Sequence, residues 1–120
     1  MTVSRVLALA FALALALASP TAAQDDSRGA LAHQLYDRAV AGLSAGTTTP
    51  SQVYEWSVRW MRADLDARVA NAVQAHVERL RALEASVRSR VAAGVLGSAD
   101  ELACRYYVAE ALAWLAHPPS

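Results

Sequence analysis

The chain has one cysteine, no lysine and no isoleucine. A single cysteine cannot form an internal disulfide, and we expect Cys104 to be a buried, small apolar side chain, with a free thiol or an intermolecular bridge as alternatives. All eleven basic residues are arginine, and eleven acids balance them. A protein that holds DNA or RNA normally presents a basic surface. We therefore do not expect a nucleic-acid partner.

Signatures of catalytic and cofactor sites are also absent from the sequence. It has no glycine-rich phosphate loop, no Gly-x-Ser-x-Gly turn and no His-Glu-x-x-His. We therefore expect neither an enzyme nor a cofactor. A small exported helical enzyme, such as the secreted chorismate mutases that join Arg and Glu in a helical cavity, is an alternative. However, Arg and Glu are too common on amphipathic helices to favour it.

Residues 1–23 have the three parts of a secretory signal peptide. Arg5 supplies a positive charge, residues 6–18 are an unbroken apolar run, and Pro20 is followed by the small residues 21–23. The run is shorter than the roughly 20 residues that a membrane span needs. We therefore expect an exported protein, periplasmic or secreted. Its mature chain would begin near Gln24 and have no stable transmembrane segment.

The mature chain begins with the pattern of an amphipathic helix. Leu31, Leu35 and Leu43 recur at multiples of four residues, and Gly46 follows them. Acidic residues at positions 25 and 26 precede the pattern, where the helix dipole favours negative charge. We predict a helix over residues 27–45 and a short turn after it.

A second helix has clear start signals and then meets no helix breaker. Thr49 and Gln52 form a Thr-x-x-Gln capping box, and Pro50 suits the first helical position. Neither glycine nor proline recurs before Gly94. We therefore predict a helix over residues 50–93, about 67 Å long, which is either continuous or kinked near residues 64–66, where the apolar stripe narrows to alanine. Its apolar residues follow one another at steps of three or four: Val53, Trp56, Trp60, Ala63, Ala67, Ala70, Val73, Val77, Leu80, Leu83, Val87 and Val91.

A third helix returns after a glycine-containing turn. Ser98 and Glu101 have the spacing of a second capping box, and Pro118 marks a stop. We predict a helix over residues 99–116. Its expected inner face consists of Leu102, Tyr106, Ala109, Leu112 and Ala113.

The short turns require both outer helices to fold back along the long one, where they would lie end to end. The predicted fold is therefore all-α, a short-long-short helical hairpin array with coiled-coil-like packing, in one domain over residues 24–120. Two layers of helix would cover each apolar stripe from one side only. A second copy of the chain or another helical exported protein would cover the remainder.

Most charged residues fit a solvated helix surface. An acid four residues before an arginine stabilises a helix by about 0.2–0.5 kcal/mol, and the sequence contains several such pairs. They are Glu55/Arg59, Asp64/Arg68, Glu84/Arg88 and Glu101/Arg105. We interpret these charges as structural.

The aromatic residues allow two interpretations. Trp56 and Trp60 share one helix face, which favours packing against the first helix. The alternative is an exposed platform that docks a partner or a membrane interface. Tyr106 and Trp114 allow the same two interpretations at the other end. These four residues are the candidate partner-binding residues.

Histidine and aspartate give an alternative metal site. His33 and Asp37 are four residues apart and lie on one helix face, whereas His76 lies on the long helix. Metal sites on helices use such i,i+4 pairs, but two ligands alone bind weakly. A site would need His33, Asp37 and His76 to converge.

Residues 93–112 read AGVLGSADELACRYYVAEAL. This stretch resembles a recurrent piece of the TolC-type outer-membrane efflux proteins, in which a long helix ends at a Gly turn and an Ala/Glu-rich helix returns. The hairpin pattern extends over about residues 76–116, and the chain is similar to small exported bacterial helical proteins that carry it. The resemblance implies a periplasmic helical hairpin. It implies no channel activity, because the chain has no room for membrane strands or duplicated hairpins, and it transfers no site residues.

These observations favour a non-enzymatic exported module that self-associates or docks on a helical partner. A periplasmic small-ligand or metal-binding helical protein is the alternative.

Overall fold

The computed structural model describes residues 26–119, so the predicted signal peptide lies outside the described residues. The described chain forms four α-helices and no β-strand: α1 (Arg28–Ala45), α2 (Pro50–Asp66), α3 (Ala72–Ala92) and α4 (Ser98–Ala116). The all-α prediction is confirmed. Within residues 26–119, no helix combines the length and apolar character that crossing a bilayer requires.

Local capping chemistry sets the ends of α1 and the start of α2. The Ser27 hydroxyl accepts a hydrogen bond from the Ala30 amide at 3.2 Å. Gly46 ends α1 in the left-handed region at φ 77°, which glycine adopts without a Cβ penalty. At the start of α2, the predicted capping box is present, because Thr49 and Gln52 each accept the other's backbone N–H.

The start of α4 differs from the predicted capping box. Gly97 occupies the cap position, and its N–H donates to Asp100 Oδ2 at 3.1 Å. Ser98 is already inside the helix and makes no capping hydrogen bond. Glu101 instead accepts a hydrogen bond from Arg88 Nε of α3 at 3.3 Å. The acid that closes the first turn is therefore one residue earlier than predicted.

The single long helix predicted over residues 50–93 is two helices. The chain leaves the helix after Asp66 and reverses through residues 67–71. Arg68 and Asn71 adopt the left-handed region there, at φ 58° and 61°. Neither is glycine: this conformation costs roughly 1–2 kcal/mol at Arg68 and less at Asn71, because asparagine visits the left-handed region more readily than other non-glycine residues. The two short helices therefore do not lie end to end beside a long one.

Burial explains why the chain reverses despite this cost. Folding back places Val53, Ser57 and Met61 of α2 against α3, and all three become buried. Val77 and Leu80 on the facing side of α3 become buried too. Burying one such apolar side chain contributes about 1.5–3 kcal/mol. Several of them together outweigh two strained backbone positions.

The helices form two antiparallel hairpins, α1–α2 and α3–α4, which pack against each other mainly through α2 and α3. The main core cluster draws on all four helices. Its buried members are Ala39, Leu43, Val53, Val77, Leu80, Leu83, Val87, Cys104 and Ala111. A smaller cluster of Met61, Ala72 and Val73 lies near the reversal, with Trp114 packed against it.

The inner face predicted for α4 is wrong. Cys104 and Ala111 are its buried residues, whereas Leu102 and Tyr106 are 63% and 64% exposed. The sequence pattern is ambiguous, because α4 carries apolar residues on both faces. Packing against α3 selects the face that contains Cys104 and Ala111, with Tyr107 and Val108 packed against the main core beside them.

Candidate functional site

A buried polar cluster joins α2 to α3. The Ser57 hydroxyl lies 2.7 Å from His76 Nδ1 and 2.7 Å from Arg79 Nε, and Arg79 Nη2 donates to the Ser57 carbonyl at 3.0 Å. A guanidinium only donates, so Ser57 Oγ accepts from Arg79. The hydroxyl proton is then directed at His76 Nδ1. We infer that His76 carries its proton on Nε2.

Burial controls the electrostatics of this cluster. His76 is completely buried, and its Nε2 has no hydrogen-bond partner within the described residues. Desolvation, assisted by the positive charge of Arg79, lowers the pKa of His76 from 6.5 to about 4. Burial also lowers the pKa of Arg79. His76 is therefore neutral at physiological pH.

Aromatic rings cover the outer side of this cluster. The guanidinium carbon of Arg79 lies 4.0 Å from the ring centre of Trp60 and 5.7 Å from that of Tyr36. The imidazole of His33 is stacked on Trp60 at a centroid distance of 4.0 Å. Cation–π contacts of this kind contribute about 0.5–2 kcal/mol. They help Arg79 to bridge α1, α2 and α3.

The Ser57–His76 contact does not form a hydrolytic site. Both side chains are completely shielded from solvent, so no substrate reaches the hydroxyl. In a catalytic triad, a carboxylate orients the second histidine nitrogen, whereas His76 Nε2 has no partner in residues 26–119. The cluster is suited to joining helices.

The predicted metal ligands do not converge. His33 Nε2 and Asp37 Oδ2 are 3.3 Å apart on the exposed side of α1, whereas His76 is bonded to Ser57 in the core. Within residues 26–119, no group of three or more His, Cys, Asp or Glu side chains could hold a metal ion. A shallow cleft of about 520 Å³ lies beside His33 and Trp60, and the Arg28–Asp66 ion pair flanks it.

Three of the four predicted partner-binding residues contact other parts of the chain. Trp60 stacks on His33, and the ring centres of Trp114 and His76 are 5.8 Å apart. Trp56 packs against the core and lies under the guanidinium of Arg59. Tyr106 differs, because most of its surface is exposed.

Tyr106 belongs to an exposed apolar stripe, which we call the α4 outer face. Its members follow one another at steps of four, three, four and three, and every one is exposed: Leu102, Tyr106, Ala109, Ala113 and Ala116. The side chain of Leu112, 40% exposed, extends it on one flank. Arg105 lies beside the stripe and makes no ion pair among the described residues, because Glu101 pairs with Arg88.

Sequence reasoning did not identify Ser57 or Arg79. The signal for Ser57 is its place midway between Val53 and Met61 at spacing four, a polar residue on a buried stripe. Of the predicted i,i+4 ion pairs, Glu84–Arg88 forms, at 2.6 Å. Asp64/Arg68 cannot form as a helical pair, because Arg68 has left the helix.

No protein-family model, no curated protein and no solved structure matches this chain, so the resemblance to TolC-type hairpins stays a prediction.

Proposed function

We propose that this chain is an exported, non-enzymatic helical module that pairs with a second copy of itself through the α4 outer face. The observation that carries the proposal is the continuous exposed stripe from Leu102 to Ala116. An isolated exposed leucine is ordinary, whereas a contiguous apolar stripe marks an interaction surface. The signal-peptide pattern of residues 1–23 supports export.

The spacing of the stripe favours a helix as its occupant. Steps of four and three residues are the seam of a coiled coil, in which side chains of one helix fill spaces between those of the other. Ala109, Ala113 and Ala116 are small enough for a second helix to approach closely. Leu102 and Tyr106 supply larger apolar surface at the other end of the seam.

The charges beside the seam favour a second copy in parallel orientation. Arg105 and Glu110 lie on opposite flanks and are five residues apart. In a parallel helix pair, this spacing places Arg105 of one copy beside Glu110 of the other, twice per dimer. Glu110 accepts a hydrogen bond from the Tyr54 hydroxyl through Oε1, so its Oε2 is left for the guanidinium.

Light scattering of residues 24–120 over a range of concentrations tests the proposal. We expect the natural chain to be in a monomer–dimer equilibrium. The double variant Leu102→Glu/Tyr106→Glu should raise the dissociation constant of the dimer by at least about a hundredfold, since each copy would bury two unpaired carboxylates. Leu31→Glu is the control, because Leu31 is 43% exposed but lies on α1.

Two results would contradict the proposal. One is a natural chain that stays monomeric at every concentration. The other is an equilibrium that the double variant and the Leu31 control shift equally.

A further inference from the structure

The reversal at residues 67–71 points to a second mode of assembly. We propose that it is a hinge, and that the chain exchanges hairpins with a second copy. In the exchanged dimer, residues 50–92 form one continuous helix, and the α1–α2 hairpin of each copy packs on the α3–α4 hairpin of the other. This inference concerns the α2–α3 interface and does not depend on the α4 outer face.

The hinge is held in a strained backbone conformation. Arg68 and Asn71 occupy the left-handed region, at φ 58° and 61°. Asn71 stands at the start of α3 without a side-chain capping bond. The hinge is also mostly exposed, so little packing holds it. Short hinges under strain favour domain exchange, because the strain is released when the hinge opens.

The sequence of the hinge also suits a helix. Residues 67–71 read Ala-Arg-Val-Ala-Asn and contain neither glycine nor proline. Alanine and arginine are among the strongest helix formers. Ala63, Ala67, Ala70 and Val73 also continue the apolar steps of three and four from α2 into α3. Local preference therefore favours one helix, and the tertiary fold of a single copy opposes it.

Exchange also preserves the interface between the two hairpins. The contacts of Ser57 with His76 and Arg79 join the two hairpins, as do those of Arg79 with Tyr36 and Trp60. In the exchanged dimer, the same contacts form between copies, with Ser57 supplied by one chain and His76 and Arg79 by the other. The two forms then differ mainly in hinge strain and in the entropy of association.

Matched hinge variants separate the two forms. Arg68→Gly/Asn71→Gly relieves the left-handed strain and weakens the continuous helix, so it favours the monomer. Arg68→Ala/Asn71→Ala retains the strain and supports the helix. We expect the dimerisation constant of the alanine variant to exceed that of the glycine variant by more than about a hundredfold, with the natural chain between them.

A distance measurement identifies the exchanged form. Spin labels are attached at Ser51→Cys and Ala85→Cys in a Cys104→Ala background. In the monomer these two positions lie side by side on α2 and α3, whose axes are about 8–10 Å apart. In the continuous helix, the same positions are about 51 Å apart. The doubly labelled chain is refolded with an excess of unlabelled chain, so that only distances within one chain are recorded. We expect the long distance in the dimer fraction of the alanine variant.

Two results would overturn the exchange. One is a dimer that keeps the short distance within each chain, which is also what pairing through the α4 outer face alone would give. The other is that both hinge variants have the same dimerisation constant, or that neither forms a dimer at the highest soluble concentration.

Circular dichroism checks that the variants fold. Asn71→Gly alone is a milder version of the glycine double variant. The Leu102→Glu/Tyr106→Glu variant leaves the hinge intact, so exchange and α4 pairing fail independently.

Discussion

Among single residues, Ser57 makes several of the polar contacts that join α2 to α3. Its hydroxyl and carbonyl receive two hydrogen bonds from Arg79, and the hydroxyl also contacts His76. All of these contacts cross from α2 to α3. One small polar side chain thus satisfies groups that would otherwise be buried without a partner.

We expect Ser57→Ala to lower the free energy of unfolding by about 1–3 kcal/mol, because it leaves Arg79 Nε and His76 Nδ1 buried and unpaired. Urea unfolding followed by tryptophan fluorescence measures the change. Ser89→Ala is the control, because Ser89 is exposed in the last turn of α3. Equal stabilities for the two variants would show that the cluster is not a structural bridge.

His76 makes stability depend on pH. The unfolded chain binds a proton at this residue below a pKa of 6.5, whereas burial lowers the pKa in the folded chain to about 4. Between these pH values the unfolded state holds more protons, so the free energy of unfolding falls as the pH falls. The loss from His76 amounts to about 3 kcal/mol by pH 4.

Urea unfolding from pH 7 to pH 4 measures this loss. We expect His76→Asn to flatten the pH dependence over this window, although the variant is less stable at pH 7. His117→Asn is the matched control, because His117 is exposed. The assignment is contradicted if the His76 variant keeps the slope of the natural chain.

At the scale of helices, capping residues act locally and independently. We expect Thr49→Ala to destabilise the protein by about 1 kcal/mol, because Thr49 accepts the Gln52 amide at the start of α2. Ser98→Ala should change stability by less than about 0.5 kcal/mol, because Gly97 and not Ser98 occupies the cap of α4. Thermal and urea unfolding of the two variants check both values. Comparable losses would place a working cap at Ser98.

The helices also show how far local sequence determines structure. The box at Thr49 was predictable, because its two hydrogen bonds involve residues three positions apart. The end of α2 at Asp66 was not, because residues 67–71 carry no helix breaker. Long-range burial decides that boundary, and propensity is a weak guide wherever tertiary packing opposes it.

For the whole molecule, Cys104 reports whether the core is closed. Its side chain is 1% exposed among the residues of the main cluster. Burial, with a smaller contribution from nearby acids, raises the pKa of the thiol to about 11. A thiol that is both shielded and protonated reacts slowly, since the thiolate is the nucleophile.

We expect Cys104 in the folded chain to resist a thiol reagent at pH 8 and to react at once in denaturant. The self-association proposed above should likewise be unchanged by reductant. Labelling kinetics and light scattering with and without reductant measure the two effects. Rapid labelling of the folded chain, or a dimer lost on reduction, would place Cys104 at the surface.

The all-α class, the turns at Gly46 and Gly94, where both glycines adopt the left-handed region, and the capping box at Thr49 could be predicted from the amino-acid sequence. Each follows from interactions within a few residues, so no knowledge of the fold is needed. Hydrophobic spacing also marked the residues available for burial, but α4 offers two apolar faces.

Tertiary packing determines where the chain reverses, which face of α4 is buried and that Ser57, His76 and Arg79 meet. These features depend on the combined burial of side chains that are distant in sequence. Its free energy exceeds the local preference for one helix over residues 50–93, because many apolar contacts form together while only two backbone positions are strained.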